Sequence, residues 1–168
     1  NTTAWRVGLR SGKFMDAGRP RTYRRRVARE ARPMAYWLFK SEPGSWSWDQ
    51  QVKAGKAGSE WTGVRNFTAR NNMRAMKKGD QGFFYHSGEG KEIVGIVTVV
   101  KEAHPETGNP DWEAVDIAAV KPLPKPVTLP AIKADKKLAD MALVRLSRLS
   151  VQPVTDAEWK LVCKMGGL

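Results

Sequence analysis

The chain has 168 residues with 29 Lys/Arg against 17 Asp/Glu, a formal charge of +12 and an isoelectric point near 10.1. That length suits one ordinary domain with a real core. A single cysteine, Cys163, and two histidines leave no internal disulfide and no metal-ligand spacing, so neither a metal nor another cofactor is expected.

Charge is unevenly spread. Residues 1–33 hold ten Lys/Arg and two acids, +8 of the +12, include Arg24-Arg25-Arg26, and lack the apolar periodicity needed to fold alone. The domain is therefore expected over residues 34–168, which carry only +4. Three readings are open for residues 1–33: an arm gripping phosphates, an Arg-rich organelle-targeting peptide, or a dispensable stretch ahead of a start at Met34. Scarce serines and the absence of an apolar stretch weigh against targeting.

In chain order, residues 36–40 predict an opening strand stopped by the turn chemistry of Ser41-Glu42-Pro43-Gly44. A short helix is expected after Ser47, ended by Gly55 and Gly58, followed by a loop, Trp61-Thr62-Gly63-Val64-Arg65. Asn66 suits an N-cap for a helix whose inner face is Phe67, Ala69, Met73 and Met76, with Gly79 ending it. Arg70, Arg74, Lys77 and Lys78 lie off that face, as a solvated surface or a phosphate-binding one.

Residues 81–85 and 92–100 predict a hairpin around His86-Ser87-Gly88-Glu89-Gly90. The run 93–100 is rich in β-branched residues and too short for a bilayer, so a water-soluble protein with no membrane partner is expected. Residues 112–120 predict another strand, the Pro-rich piece 122–126 a connector, residues 135–141 a short helix, and residues 148–152 a strand closed by Pro153. Thr155-Asp156-Ala157-Glu158 is a capping box for a final helix to about Met165. Short strands with helices between them and no βαβ rhythm predict an α+β fold built on a small mixed, mostly antiparallel β-barrel with inserted and flanking helices.

Three short stretches carry candidate chemistry. Trp61 is either a core residue or a stacking wall, with Gly63 giving a ligand clearance; Arg65 and Asn66 add a guanidinium and a carboxamide that can hold phosphate and read a base edge, unless Asn66 is only a cap. Tyr85, His86 and Ser87 end a strand at what would be a barrel rim, and Lys40, Ser41 and Glu42 end the first strand. No Gly-rich phosphate loop, HExxH, GxSxG or CxxC is present, so the common catalytic signatures fail.

Taken in order, Tyr36-Trp37-Leu38-Phe39-Lys40-Ser41-Glu42-Pro43, then Trp61-Thr62-Gly63-Val64-Arg65-Asn66, then Gly79-Asp80 leading to Phe84-Tyr85-His86-Ser87, then Arg148-Leu149-Ser150-Val151-Gln152-Pro153, closely resemble the EVE domain. The resemblance spans residues 34–168. It implies a PUA-like fold and kinship with the YTH readers of methylated adenine in RNA. By that similarity Lys40, Ser41 and Trp61 line a pocket that Tyr85, His86 and Ser87 close from the hairpin. Arg65, Asn66, Arg148 and Ser150 fall in EVE motifs and join the expected site, while Tyr85, Trp46 and Trp48 compete to be the second aromatic wall. The implied partner is DNA or RNA carrying a modified base, bound by a monomer without catalysis or cofactor, cytoplasmic in a stand-alone bacterial protein and nuclear or organellar in a eukaryote.

A rival comes from related PUA-like ASCH amidohydrolases, which act on acylated cytidine through a lysine, a hydroxyl residue and a glutamate. Lys40, Ser41 and Glu42 supply those types, but neighbours on a strand point to opposite faces.

Overall fold

The structure, a computed structural model, describes residues 34–168; the basic segment 1–33 and the readings open to it lie outside the described residues. Strand β1 (Tyr36–Ser41) is the axis of the fold. It pairs in parallel with β3 (Gln81–His86), Tyr36 opposite Gln81 and Ser41 opposite His86, and antiparallel with β6 (Val151–Val154). It is central in the sheet and a core packs on each of its faces, which is why its apolar run is continuous rather than alternating.

Successive side chains serve two different cores. Trp37 and Phe39 of β1 and Phe84 of β3 enter one, with Trp61, Met73, Val97 and Val151; Leu38, Phe83 and Tyr85 enter the other, with Ile93, Leu123, Trp159 and Val162. The first core is closed by α1 (Trp48–Lys53) and α2 (Phe67–Ala75). The second is closed by α3 (Leu129–Ala134), α4 (Ala142–Arg145) and α5 (Asp156–Met165), whose Trp159 stacks on Tyr36 at 4.3 Å and Phe83 at 4.1 Å. The helix starts follow the expected chemistry. Asn66 Oδ1 accepts from the Ala69 amide, and the Thr155 and Glu158 side chains each accept from the other's amide.

Strands β2 (Ser59–Glu60), β4 (Glu92–Glu106) and β5 (Asn109–Thr128) complete a six-stranded sheet in the order β2-β5-β4-β3-β1-β6. The α+β class and the mostly antiparallel pairing are as expected. The barrel is not: β2 and β6 end the sheet as separate edges, so it stays open.

The edges also explain two local departures. Residues 122–126 belong to β5 and pair with β4, Pro122 opposite Gly95, rather than forming a connector. The prolines are tolerated because β2 covers β5 only at Asp116 and Ile117, leaving their missing N–H groups on an open edge. Pro153 likewise sits inside the edge strand β6 instead of closing it, and Arg148 and Ser150 fall in the turn before that strand. The expected helix at 135–141 is only a 3-10 turn, Lys136–Leu138, capped by Asp135 between α3 and α4. Phe67 leaves the inner face of α2 and is 63% exposed, whereas Ala69 and Met73 are fully buried. Among the described residues no helix is long and apolar enough to cross a membrane.

Gly95 is required by packing, since a Cβ there would overlap the six-membered ring of Trp48. Gly95→Ala is expected to cost about 1–3 kcal/mol of unfolding free energy through overpacking. Urea titration measures it, and an unshifted midpoint would show that Trp48 moves aside freely.

Candidate functional site

A cavity of about 420 Å³ opens where β1 ends, within the range typical of small-ligand sites. Four segments wall it: Lys40, Ser41 and Glu42 from the end of β1, Ser45 and Trp46 from the following turn, residues 59–64 from β2 and its loop, and Ser150 from the turn before β6. Backbone pairing holds the end of β1 between two other segments. The Lys40 amide donates to the Ser150 carbonyl at 2.9 Å, and the Ser87 amide donates to the Ser41 carbonyl at 2.8 Å.

The two indoles of the cavity are fixed differently. Trp61 is 8% exposed, edge-on to Phe39 at 5.4 Å and to Phe84 at 5.9 Å, so it belongs to the core and reaches the cavity with its remaining surface. The core reading of Trp61 holds, and the ring also borders the cavity. Trp46 is held by polar contacts: its Nε1 donates to Gln51 Oε1 at 2.9 Å, and Ser41 Oγ donates to its backbone carbonyl at 2.5 Å. Gln51, completely buried on α1, also accepts from Ser59 Oγ at 3.1 Å and donates to the Ile117 carbonyl at 2.9 Å, which ties both cavity walls to β5. Of the three candidates for a second aromatic wall, only Trp46 lines this cavity; Trp48 packs edge-on against Phe84 at 5.4 Å.

The loop carrying Trp61 is anchored from the far end of the β4–β5 hairpin. Gly63 adopts φ +83°, open to glycine without strain, and turns its amide onto the carboxylate of Glu106. The same carboxylate receives Arg65 in a forked contact at 2.7 and 3.3 Å. Glu106 is 4% exposed, and the Arg65 guanidinium, then the Gly63 amide, hold its carboxyl below the usual glutamate value against the opposing effect of burial. Arg65 thus spends its fork on a protein carboxylate.

Charge around the cavity is mixed. Lys40 is its single cation among the described residues, donating through Nζ to the Ser147 carbonyl at 2.6 Å, and burial lowers its pKa. Glu42 and Glu60 oppose it, with one oxygen of Glu60 accepting the Thr107 amide at 2.7 Å. One lysine against two glutamates makes a poor phosphate site and a good acceptor for amino groups.

The other expected residues lie elsewhere. Tyr85 and Ser87 line a separate hollow of about 220 Å³ on which Lys40 also borders, and Asn66 and Arg148 line a shallow depression with Arg145 and Ser147. His86 lines neither; its Nε2 accepts the Trp48 amide at 3.1 Å, and burial lowers its pKa, in the direction that favours the neutral ring this bond needs. Lys40, Ser41, Trp61 and Ser150 therefore share one cavity, and Tyr85, His86, Ser87, Arg65, Asn66 and Arg148 surround it at a remove. Glu106 was invisible in the sequence because its partners are 41–43 residues away, and Gln51 because its burial rests on β5, where it donates to a carbonyl 66 residues on. Ser45 and Ser59 gave no motif.

The open sheet with its flanking helices, and a ligand-sized hollow at the end of its central strand, define an α+β domain of the PUA type. A YTH domain of Zygosaccharomyces rouxii MRB1, solved in complex with N6-methyladenosine RNA, shares that fold at a TM-score of 0.50 and 15% identity, covering 79% of this chain and 86% of that one. The family is narrower: the EVE domain model matches residues 35–165, and the chain belongs to the EVE domain family. The Agrobacterium tumefaciens protein Atu2648 is similar at 58% identity and a TM-score of 0.78, covering 80% of this chain and 94% of that one. Human thymocyte nuclear protein 1 is 32% identical over 165 residues, 78% of this chain and 73% of that protein. Its structure, solved in complex with 5-methylcytosine containing DNA, superposes with a TM-score of 0.73 at 31% identity, covering 80% of this chain and 98% of that one.

Proposed function

We propose that this domain is a non-catalytic reader of nucleic acid that takes one unstacked, modified base into the cavity between Trp46 and Trp61. The observation that carries the reading is the lining itself: two indoles, Trp46 and Trp61, border the cavity, while Glu42 and Glu60 outnumber Lys40. A base with an exocyclic amine suits such walls, since carboxylates accept from it and indoles stack on it, whereas a phosphate would be repelled. The complex of human thymocyte nuclear protein 1 with 5-methylcytosine containing DNA supports a methylated cytosine as the first base to test. A methyl group set against an apolar wall discriminates by only about 1–3 kcal/mol, so selectivity is modest.

The test titrates the wild-type chain and Trp46→Ala with oligonucleotides carrying cytosine or 5-methylcytosine, in DNA and in RNA. Trp46→Ala is expected to lose about 1–3 kcal/mol of binding, the worth of one stacking contact. Equal binding of every oligonucleotide by both proteins would sink the reading. The amidohydrolase alternative retains one favourable observation, that Lys40, Ser41 and Glu42 line the same cavity. Against it, Ser41 Oγ donates to the Trp46 carbonyl and Lys40 Nζ to the Ser147 carbonyl, so neither is arranged as base to the other. Turnover of N-acylated cytidine, abolished by Lys40→Ala, would reverse that preference.

A further inference from the structure

We infer that Phe67 and Trp112, flanked by Arg65 and Arg70, form a stacking shelf for the nucleotide next to the base held in the cavity, so that the preferred ligand is a single strand; this rests on the reader function proposed above. Phe67 opens α2 yet is 63% exposed, while the core side of that helix is filled by Ala69 and Met73. An aromatic ring that the core does not use is held in place all the same. It stacks on Trp112 of β5 at 5.4 Å with 29° between the planes, and the Arg70 guanidinium lies 4.8 Å from its centroid. Arg65 lies 5.3 Å over Trp112.

Aromatic rings beside the Arg70 guanidinium match the chemistry of a polynucleotide strand, with bases for the rings and a phosphate for that cation, while Arg65, already held by Glu106, serves only to cover Trp112. Helix α2, FTARNNMRA, contains no acid; of its two arginines Arg74 is paired with Glu113 at 2.7 Å, so Arg70 is the one that brings positive charge to the shelf. Within the shelf, Arg70 Nε is buried and has no hydrogen-bond partner among the described residues. The shelf is also physically continuous with the cavity. Gly63 lines the cavity and donates to Glu106, Glu106 holds Arg65, and Arg65 covers Trp112. The neighbour of a base held in the cavity is the nucleotide assigned to this surface, and in a single strand that neighbour is free to leave its own stack. In a duplex it is paired.

The experiment uses the full chain and three probes: free 5-methyl-2′-deoxycytidine, a short dye-labelled single strand with one central 5-methylcytosine, and the same strand in a duplex. Phe67→Ala is expected to weaken single-strand binding by about 5- to 100-fold and to leave nucleoside binding unchanged, while Phe67→Trp preserves both. Trp46→Ala should weaken both. Unchanged strand affinity in Phe67→Ala, with Trp46→Ala impaired, overturns the shelf and leaves the cavity reading intact; unchanged binding in both variants overturns the cavity reading and the shelf with it. Self-association that disappears in Phe67→Ala while strand affinity is kept would assign the surface to a second copy of the chain and also overturn the proposal.

Discussion

Trp61→Ala is expected to lower unfolding free energy by about 3–5 kcal/mol, the cost of emptying a large aromatic site in a packed core. The side chain is 8% exposed and meets Phe39 and Phe84 edge to face, so its removal leaves a void behind the cavity as well as in its wall. Guanidinium titration gives the stability, and any loss of oligonucleotide binding by this variant then mixes two causes. Trp61→Phe separates them, because it retains most of the packing while shortening the wall. A loss below about 1 kcal/mol in Trp61→Ala would mean that the loop 61–65 collapses inward, and that the ring is a surface wall rather than a core member.

Glu106→Gln should have the next largest effect, about 1.5–3 kcal/mol, set towards the low end because Arg65 is 43% exposed and solvent screens its charge. Its signature is in the pH dependence. The folded-state carboxyl titrates below its ordinary value of 4.5, chiefly through Arg65 and the Gly63 amide. The unfolded chain therefore takes up a proton first on acidification. The contribution is full above the unfolded pKa and disappears as pH falls through the lowered folded value. The stability difference between wild type and Glu106→Gln is accordingly expected to be constant above about pH 5.5 and to shrink below about pH 4.5. A difference independent of pH across that window would show that shape, not charge, anchors the loop. Oligonucleotide affinity should fall together with the stability of that anchor, since Gly63 and Val64 line the cavity.

Much of the fold was legible because it is written in local pattern. The aromatic run at 36–40, the aromatic and the β-branched strand of the hairpin and the capping residues Asn66 and Thr155 each use chemistry confined to a few neighbouring residues. Where the pattern misled, long-range pairing had overridden it. Prolines at 122, 124 and 126 read as a connector until their position on the open edge of β5 is known, and Phe67 read as core because helical spacing cannot tell which turn of α2 still faces the sheet.

The site divides along the same line. Lys40, Ser41, Trp61 and Ser150 were nameable from motifs and do share a cavity, but nothing in a linear pattern separates them from Tyr85, Ser87, Asn66 and Arg148, which line neighbouring hollows. Trp46 emerges as the second wall only because Gln51 on α1 holds its indole, and Arg65 ceases to be an open phosphate grip only because Glu106 reaches it from the end of β4. By itself, the sequence determined the family motifs, the α+β class and the local starts and stops of the elements, because these depend on backbone preferences and burial periods of two and 3.6 residues. The tertiary structure alone decided that the sheet stays open, which indoles share the cavity and which charges are already spent. The spent charges depend on contacts 41 to 107 positions apart, and the indoles on how rings and α1 pack against the sheet, geometry that no local preference encodes.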